Sequence, residues 1–476
     1  MSTLPVLPNP PEGVAYALTV PQSVLFADLS LRGSLPPVFH RVFGIDYAPA
    51  YIVVDNGAMR WNFSESDPFN KLLNPELIPD EVAQKFITVT ARTARCLIRT
   101  AQIVSSPSRW RKSHIEKDLL EDFNSFWDAY ENHMTSLYTF WNVENLLTNS
   151  LVATLIESGF REEVDAGLPN FIVPSEPNWF ALEQQNLAIL KSRFSTSMED
   201  GVAMDSASDH ADTFGFLLSP FNLGSPPSGA DVMLRMKQLA VSGATGHGVG
   251  LTANMTKEVA RLGELERELT YWKTERLDAF ALADQLAAPM YKALANLLQL
   301  PLRSIFNMTR EELERAINDG YDISHETLQQ RSEKYCLALV SGSIGFYQPT
   351  ETSSQRKLCI VKSGDRLQGR PASPGSVRGR VRILAPGEEN PQLSPDEIIV
   401  TRMTRPELGG ALDTALAYIT DEGGRLCHAA IVSREKKKPC VVGLGNVTEV
   451  LRPGMLIDVN GTTGTVTVVD ASFLAN

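Results

Sequence analysis

A histidine set among glycines and small residues is the most chemically pointed feature of the chain. The run Asp421-Glu422-Gly423-Gly424-Arg425-Leu426-Cys427-His428-Ala429-Ala430-Ile431-Val432-Ser433-Arg434-Glu435 is followed by three lysines and Pro439-Cys440-Val441-Val442-Gly443. Before it, Ala415-Leu416-Ala417-Tyr418-Ile419-Thr420 reads as a buried strand, and the small residues with Ile431 and Val432 after it read as the start of a helix. His428 is therefore expected at a strand-to-helix turn. The first amides of a helix have no partner within the helix and the dipole there favours negative charge, so this position suits an anion such as a phosphoryl group. The same positive end disfavours imidazolium and keeps the ring neutral near pH 7, with a lone pair available for attack. Gly423 and Gly424 add backbone freedom and close approach for a ligand. A histidine that only caps or packs at the turn would use none of this.

The string Gly-Gly-Arg-x-Cys-His-Ala-Ala-Ile-x-x-Arg-Glu, with Pro439 and Val441-Val442-Gly443 behind it, resembles the phosphohistidine motif of the phosphoenolpyruvate-utilising enzymes, including the cysteine before the histidine found in synthase members. Gly369-Arg370-Pro371-Ala372-Ser373-Pro374-Gly375 and Gly379 resemble the segment that opens the swivelling domain of that family, and Ile398 to Leu408 resembles its strand and turn before the histidine. Leu451 to Val469 reads as two strands around Asn460-Gly461 and Gly464, as in the family's closing hairpin. The resemblance implies that His428 is phosphorylated on a ring nitrogen and that a small β/β/α domain swings the group between distant sites. Gly423, Gly424, Arg425, Cys427 and Ala429 are the candidate phosphate-stabilising positions. Arg425 either neutralises the transferring charge or is a surface loop residue. Arg434, six residues on, falls on another helix face and reads as a docking or salt-bridge residue. Thr404 forms a capping box with Glu407, and the family places that turn near the histidine.

Composition bounds the rest. The chain has 476 residues, 43% of them hydrophobic and 21% charged, enough for two or three domains with cores of their own. A formal net charge of -12 argues against a general nucleic-acid or anionic-membrane surface, and leaves room for an anionic group held locally. Cys96, Cys336, Cys359, Cys427 and Cys440 show no paired spacing, which fits a reducing, cytoplasmic setting. Cys427, His428 and Cys440 lack a fourth ligand at zinc-site spacing, so no metal is expected on this chain. Pro5, Pro8, Pro10 and Pro11, with no basic region ahead of an apolar stretch, do not read as a secretory signal, and no run is long enough to span a bilayer.

The elements before the motif read as mostly helical. Tyr51 to Val54 and Gly57 to Phe63 suggest a hairpin around Asp55-Asn56-Gly57; Asp80, a plausible cap, opens a helix through Val104, and His114 to Phe160 forms one or two long amphipathic helices. Phe126, Trp127, Tyr130, Tyr138 and Trp141 read mainly as core. The helices are expected to break around Asp205 to Ser228. There, His210-Ala211-Asp212-Thr213-Phe214-Gly215, followed by Ser219-Pro220 and Ser225-Pro226-Pro227, loosely resembles the middle domain of rifampicin phosphotransferase-like members. The charged positions common after that glycine are replaced by Phe216-Leu217-Leu218 and Asn222. His210 is either an acceptor-site base or a hydrogen-bonded structural residue. The loop Ser242 to Gly250 lacks a P-loop ending and reads as a connector. Met255 to Leu300 is a long helical region in which Glu264, Glu268, Lys273 and Arg276 are spaced for a solvated, ion-paired face. Thr309 with Glu312 makes a capping box in a stretch that resembles the lead-in to the swivelling domain.

The expected organisation is multidomain: a mostly α-helical substrate-binding domain with an N-terminal hairpin over 1–348, a hinge over 349–366 beginning with the polar run Pro349 to Gln355, and a swivelling β/β/α phosphohistidine domain over 367–476. Family members that use ATP begin with an ATP-grasp domain, and those that use phosphoenolpyruvate end with a metal-bearing barrel. Neither is read in this chain. The resemblance therefore implies a phosphotransferase component whose donor is a separate ATP-grasp-type partner, with ATP and Mg2+ held there, no cofactor on this chain, and a small organic acceptor on the helical domain. Two other readings stay open: an enzyme that activates a substrate for condensation or dehydration through the same phosphohistidine, and a non-catalytic scaffold that retains the fold.

Overall fold

A computed structural model describes residues 4–5, 14–19, 23–43, 51–55, 58–63, 79–110, 114–161, 164, 168, 171, 174, 176–194, 201–218, 227–238, 255–348, 361–384, 393–403, 411–421, 423, 428–445 and 447–471. The chain divides into two units, Met1–Arg161 with Pro169–Thr350, and Glu162–Leu168 with Glu351–Asn476. Residues 349–360 of the expected hinge and the connector 242–250 lie outside the described residues.

The first unit is built on helices α1 (Val24–Gly33), α2 (Pro36–Phe43), α3 (Pro79–Val104), α4 (Ile115–Glu157), α5 (Trp179–Phe194), α6 (Gly201–Phe214), α7 (Gly229–Gln238), α8 (Lys257–Leu297), α9 (Leu302–Ile305), α10 (Arg310–Asp319) and α11 (His325–Glu333). Helices α3, α4 and α8 pack against one another as its long bundle. Their shared core holds Phe86, Phe123, Phe126, Trp127, Tyr130 and Tyr291, fully buried. The rings meet edge-on, as Phe126 and Tyr130 do at 5.6 Å and 63°, the geometry that aromatic quadrupoles favour. The side chains of Tyr138 and Trp141 lie outside the described residues.

The expected hairpin is present, as strands β2 (Tyr51–Asp55) and β3 (Ala58–Phe63), but it is part of something larger. With β1 (Val14–Thr19), β4 (Cys336–Val340) and β5 (Ser343–Tyr347) it forms a five-stranded antiparallel sheet in the order β1-β3-β2-β4-β5. The sheet thus joins residues nearly three hundred positions apart in sequence, Val54 opposite Leu337 among them. Ahead of α10, Thr309 accepts from the Glu312 amide at 3.2 Å and Glu312 accepts from the Thr309 amide at 2.9 Å, the reciprocal box expected from the sequence.

Three expectations need correction. The chain does not break at Asp205: α6 runs to Phe214 because Ala203, Ala207, His210, Ala211 and Phe214 recur at helical spacing and are buried, leaving the polar residues on the outer face. Arg276 is not on a solvated face. It is 4% exposed, donates to the Lys273 carbonyl at 2.7 Å and stacks 4.1 Å from the centre of the Phe140 ring; its aliphatic stem and flat cation suit a buried aromatic neighbour. Asp80 lies inside the first turn of α3 rather than capping it, and pairs with Arg261 of α8.

Among the described residues the second unit holds an eight-stranded sheet, in the order β6-β13-β12-β8-β9-β10-β11-β7. Its strands are β6 (Arg366–Gln368), β7 (Arg370–Ser373), β8 (Ser376–Ile383), β9 (Glu397–Thr401), β10 (Tyr418–Thr420), β11 (Cys440–Val442), β12 (Leu456–Asn460) and β13 (Thr465–Asp470). Strands β8 to β11 are parallel neighbours, and the remaining pairs are antiparallel. The two end strands, β6 and β7, are separated in sequence only by Gly369, so the sheet curls until its edges come together. Helices α12 (Ala411–Thr414), α13 (His428–Glu435) and α14 (Val447–Val450) complete the unit.

Strand alternation sorts the apolar residues into two cores. Ile398, Val400, Ile419 and Val441 face inward with Ile457, Val459, Val466 and Val468, while Ile399, Tyr418, Cys440 and Val442 face outward onto α12 and α13. Burial on both faces is why these strands read as unbroken apolar runs.

Candidate functional site

His428 is the first residue of α13. Strand β10 runs beside β9 and β11, all three parallel, with Tyr418 opposite both Ile399 and Cys440. The chain leaves the end of β10, turns, descends through the eight residues of α13 and returns as β11, a crossover in which the helix begins at the C-terminal edge of the strands. That edge is where open α/β sheets gather ligands. A strand and a helix therefore flank the turn expected from the sequence, of which residues 422 and 424–427 lie outside the described residues.

The helix is held by its small residues. Ala429 and Ala430 are buried against β7 and β11, and the buried Ser433 hydroxyl donates to the Ala430 carbonyl at 2.9 Å. At the far end the Arg434 Nε donates to the Ala372 carbonyl of β7 at 2.8 Å, so this arginine braces the helix on its own sheet. The lysines after it also have structural partners: Lys436 pairs with Asp413, and Lys438 donates to the Asp413 and Ala415 carbonyls at the end of α12. Burial beneath the helix pushes the Tyr418 phenol well above its ordinary pKa, with Asp413 adding to the effect, and its hydroxyl donates to the Leu412 carbonyl. All of this fixes the position and direction of α13.

The turn ahead of the helix is anchored by Asp421, a residue to which the sequence reading assigned no role. It is 4% exposed; its carboxylate accepts from the Thr448 amide at 2.9 Å and from the Thr448 hydroxyl, which caps α14. Its carbonyl accepts from the Gly445 amide at 2.8 Å, and the Thr420 carbonyl accepts from Leu444 at 3.2 Å. Gly443 and Gly423 meet between these anchors. Gly423 has φ of 122° and Gly443 of 70°, conformations that favour glycine. A methyl group built on Gly443 would sit 2.8 Å from the Gly423 carbonyl oxygen. The paired acid and glycines at a strand end were the available signal, visible in the sequence but readable only once β11 is known to lie beside β10.

Of the sequence-predicted positions, Ala429 is the second residue of α13 and is buried, and Gly423 lies against Gly443 at the end of β11. Gly424, Arg425, Cys427 and Thr404 lie outside the described residues, as does the side chain of His428. The Cys440 thiol is turned into the outer core, its sulfur 3.9 Å from the Ala429 carbonyl. Among the described residues no cluster of His, Cys, Asp and Glu is placed to hold a metal, and no helix is long and apolar enough to cross a membrane.

His210 belongs to the first unit. It is 3% exposed on α6, with Nδ1 2.7 Å from Asn186 Oδ1 and Nε2 3.1 Å from Glu183 Oε1, both on α5. Arg235 of α7 donates to the same Glu183 oxygen at 2.7 Å. Burial alone would raise the Glu183 carboxyl, but the bonds from His210 and Arg235 outweigh it and hold the group below its usual value. Both ring nitrogens are engaged, and the cluster ties three helices together. In the same unit a groove of about 760 Å³ runs between α3 and α8, lined chiefly by charged residues such as Glu81, Lys85, Glu264 and Glu268.

The family-profile match falls on the second unit. Residues 393–464 match the family profile described as "PEP-utilising enzyme, mobile domain". A probable phosphoenolpyruvate synthase of Methanothermobacter thermautotrophicus is 48% identical over 159 residues, 33% of this chain and 22% of that protein. The phosphoenolpyruvate synthase of Pyrococcus furiosus is 47% identical over 100 residues, 21% of this chain and 12% of that protein. An uncharacterized protein of Mycobacterium tuberculosis is 38% identical over 152 residues, 31% of this chain and 17% of that protein. The chain thus matches between 12% and 22% of the length of these relatives. The matched span includes β9, β10, α13, β11 and β12, the elements that set His428 at its helix start. The second unit thus carries a segment that matches the mobile domain of phosphoenolpyruvate-utilising enzymes.

Proposed function

We propose that this chain is a phosphotransferase component in which His428 carries a phosphoryl group from a donor on a separate ATP-binding partner to an organic acceptor held by the helical unit. The observation that carries this reading is the position of His428 as the first residue of α13, at the C-terminal edge of parallel strands, inside the span matched by the family's mobile domain. A helix start offers backbone donors and a positive dipole to an oxyanion, and it keeps an adjacent imidazole neutral and nucleophilic. In the first transfer the unprotonated ring nitrogen gives its lone pair to the γ-phosphorus of ATP. The bond from that phosphorus to the bridging oxygen breaks, and ADP leaves. In the second transfer an acceptor carboxylate oxygen, or a hydroxyl oxygen whose proton passes to the departing imidazole, attacks the same phosphorus; the P–N bond breaks onto nitrogen and the imidazole leaves. Both are in-line displacements that depend on positioning and charge neutralisation, with Arg425 beside the glycines as one source of positive charge. ATP and Mg2+ belong to the partner.

A carrier needs to swing, and the segment ahead of β6 is where the hinge would act. Separate donor and acceptor sites can each exclude water while the histidine moves between them. Incubation with labelled ATP and candidate ATP-grasp proteins tests the scheme. Label is expected on this chain only when such a partner is present, with transfer onward to an organic acceptor. Label that appears equally on His428→Ala overturns it.

A further inference from the structure

Arg370 opens β7 directly opposite Val442, the last residue of β11. Side chains of directly paired residues leave a sheet on the same face, and Val442 packs in the outer core with Ala429 and Ala430 of α13. Arg370 therefore projects on the side of the sheet that carries α13. It also stands at the end of β11 where the strand passes into Gly443, the edge at which α13 begins. Its stem runs past that glycine: a methyl group built on Gly443 would lie 3.8 Å from Arg370 Cδ and 2.8 Å from the Gly423 carbonyl oxygen. The side-chain stem of Arg370 thus lies beside Gly443, which in turn meets Gly423 ahead of α13.

Three other arginines of the sheet and its helix are occupied, whereas Arg366 of β6 is exposed with no side-chain partner among the described residues. Arg378 is bound by both oxygens of Asp458 at 2.7 Å, Arg380 pairs with Asp396, and Arg434 donates to Ala372. Arg370 is exposed, and its side chain makes no hydrogen bond or ion pair among the described residues. An exposed guanidinium with five donors in a planar fork is matched to a phosphoryl oxyanion.

We propose that Arg370 supplies a cation to the phosphoryl group carried at His428, neutralising it as it arrives and leaves. This rests on the phosphocarrier reading above. The test uses the full chain and potassium phosphoramidate, a small donor that needs no protein partner. In that reaction the unprotonated ring nitrogen gives its lone pair to phosphorus, the donor's P–N bond breaks onto nitrogen, and ammonia leaves while the other ring nitrogen keeps its hydrogen. The rate of gain at His428 and the rate of later hydrolysis are followed by mass spectrometry for wild type, Arg370→Gln, Arg370→Lys and Arg378→Gln. Loss of one charge-assisted contact to the transferring group predicts a rate about tenfold lower for Arg370→Gln. Arg370→Lys should recover part of it, and Arg378→Gln, with the same change of charge, should match wild type. Thermal melts that coincide for all four exclude a folding effect, since both arginines are exposed. Equal rates for Arg370→Gln and wild type, or equal slowing in Arg370→Gln and Arg378→Gln, overturn the role of Arg370 and leave the carrier reading standing. A wild-type chain that takes no phosphoryl group at His428 overturns both.

Discussion

Gly443→Ala separates the turn that presents α13 from the sheet that supports it. At φ of 70° an alanine pays for the left-handed conformation, roughly 1–2 kcal/mol. Its methyl would also lie 2.8 Å from the Gly423 carbonyl oxygen, closer than real methyl groups come to backbone. That oxygen has little room to recede, because Thr420, Asp421, Leu444 and Gly445 are hydrogen-bonded across the same gap. Overlap of this kind adds roughly 1–3 kcal/mol. Gly445→Ala is the control: its φ is 87°, and nothing lies within 4 Å of the added methyl, so it carries only the conformational cost. Gly443→Ala should therefore melt lower than Gly445→Ala, by several degrees on the usual scale of about 4–8 °C per kcal/mol for a small domain. Because the overlap displaces the segment leading to His428, phosphorylation by phosphoramidate should slow in Gly443→Ala and not in Gly445→Ala. Equal melting and equal labelling of the two variants would refute the close approach as the device that fixes the turn.

Three further outcomes follow from the described contacts. His133 is fully buried between helices, its Nε2–H donating to the Arg276 carbonyl at 2.9 Å and its Nδ1 accepting from the Thr93 hydroxyl at 2.8 Å; burial lowers its pKa from 6.5 to about 4. The unfolded chain then binds the proton first, so stability falls as pH drops from about 6.5 to about 4, by roughly 3 kcal/mol in all. Denaturant titrations of His133→Gln should lack that component when the difference from wild type is followed with pH. Thr309→Ala removes half of the capping box at α10 and should cost about 1 kcal/mol in the same titration, while Ser324→Gly, at the cap of α11, should cost only a few tenths. Tyr418→Phe leaves the buried Leu412 carbonyl without the hydroxyl that donates to it and should lower stability by about 1–2 kcal/mol, seen as a lower melting temperature without loss of labelling at His428.

Much of the second unit was legible because its information is local. A strand, two glycines and a run of small residues announce a strand-to-helix turn, and Asn460-Gly461 with Gly464 announces a hairpin; β12 and β13 flank those residues. The Thr309 and Glu312 box was equally local. What escaped depends on long-range pairing. Strand β4 is a short apolar run that periodicity cannot separate from a helix segment, and only its pairing with β2 makes it a strand. Arg276 carried a surface residue's signature, yet Phe140 from another helix buries it. A break was expected from Asp205 onward, but α6 continues to Phe214 because Ala203, Ala207, His210, Ala211 and Phe214 give it a buried face. In the site itself, Asp421 and Gly443 gained roles only when β10, β11 and α14 were seen as neighbours.

The account stands or falls on a covalent bond to one imidazole. Tandem mass spectrometry of the full chain after exposure to a phosphoryl donor measures it directly. The account predicts one added phosphoryl group localised to His428, stable in base, lost in acid and absent from His428→Ala. A group found on another residue, or one that persists in His428→Ala, would contradict it.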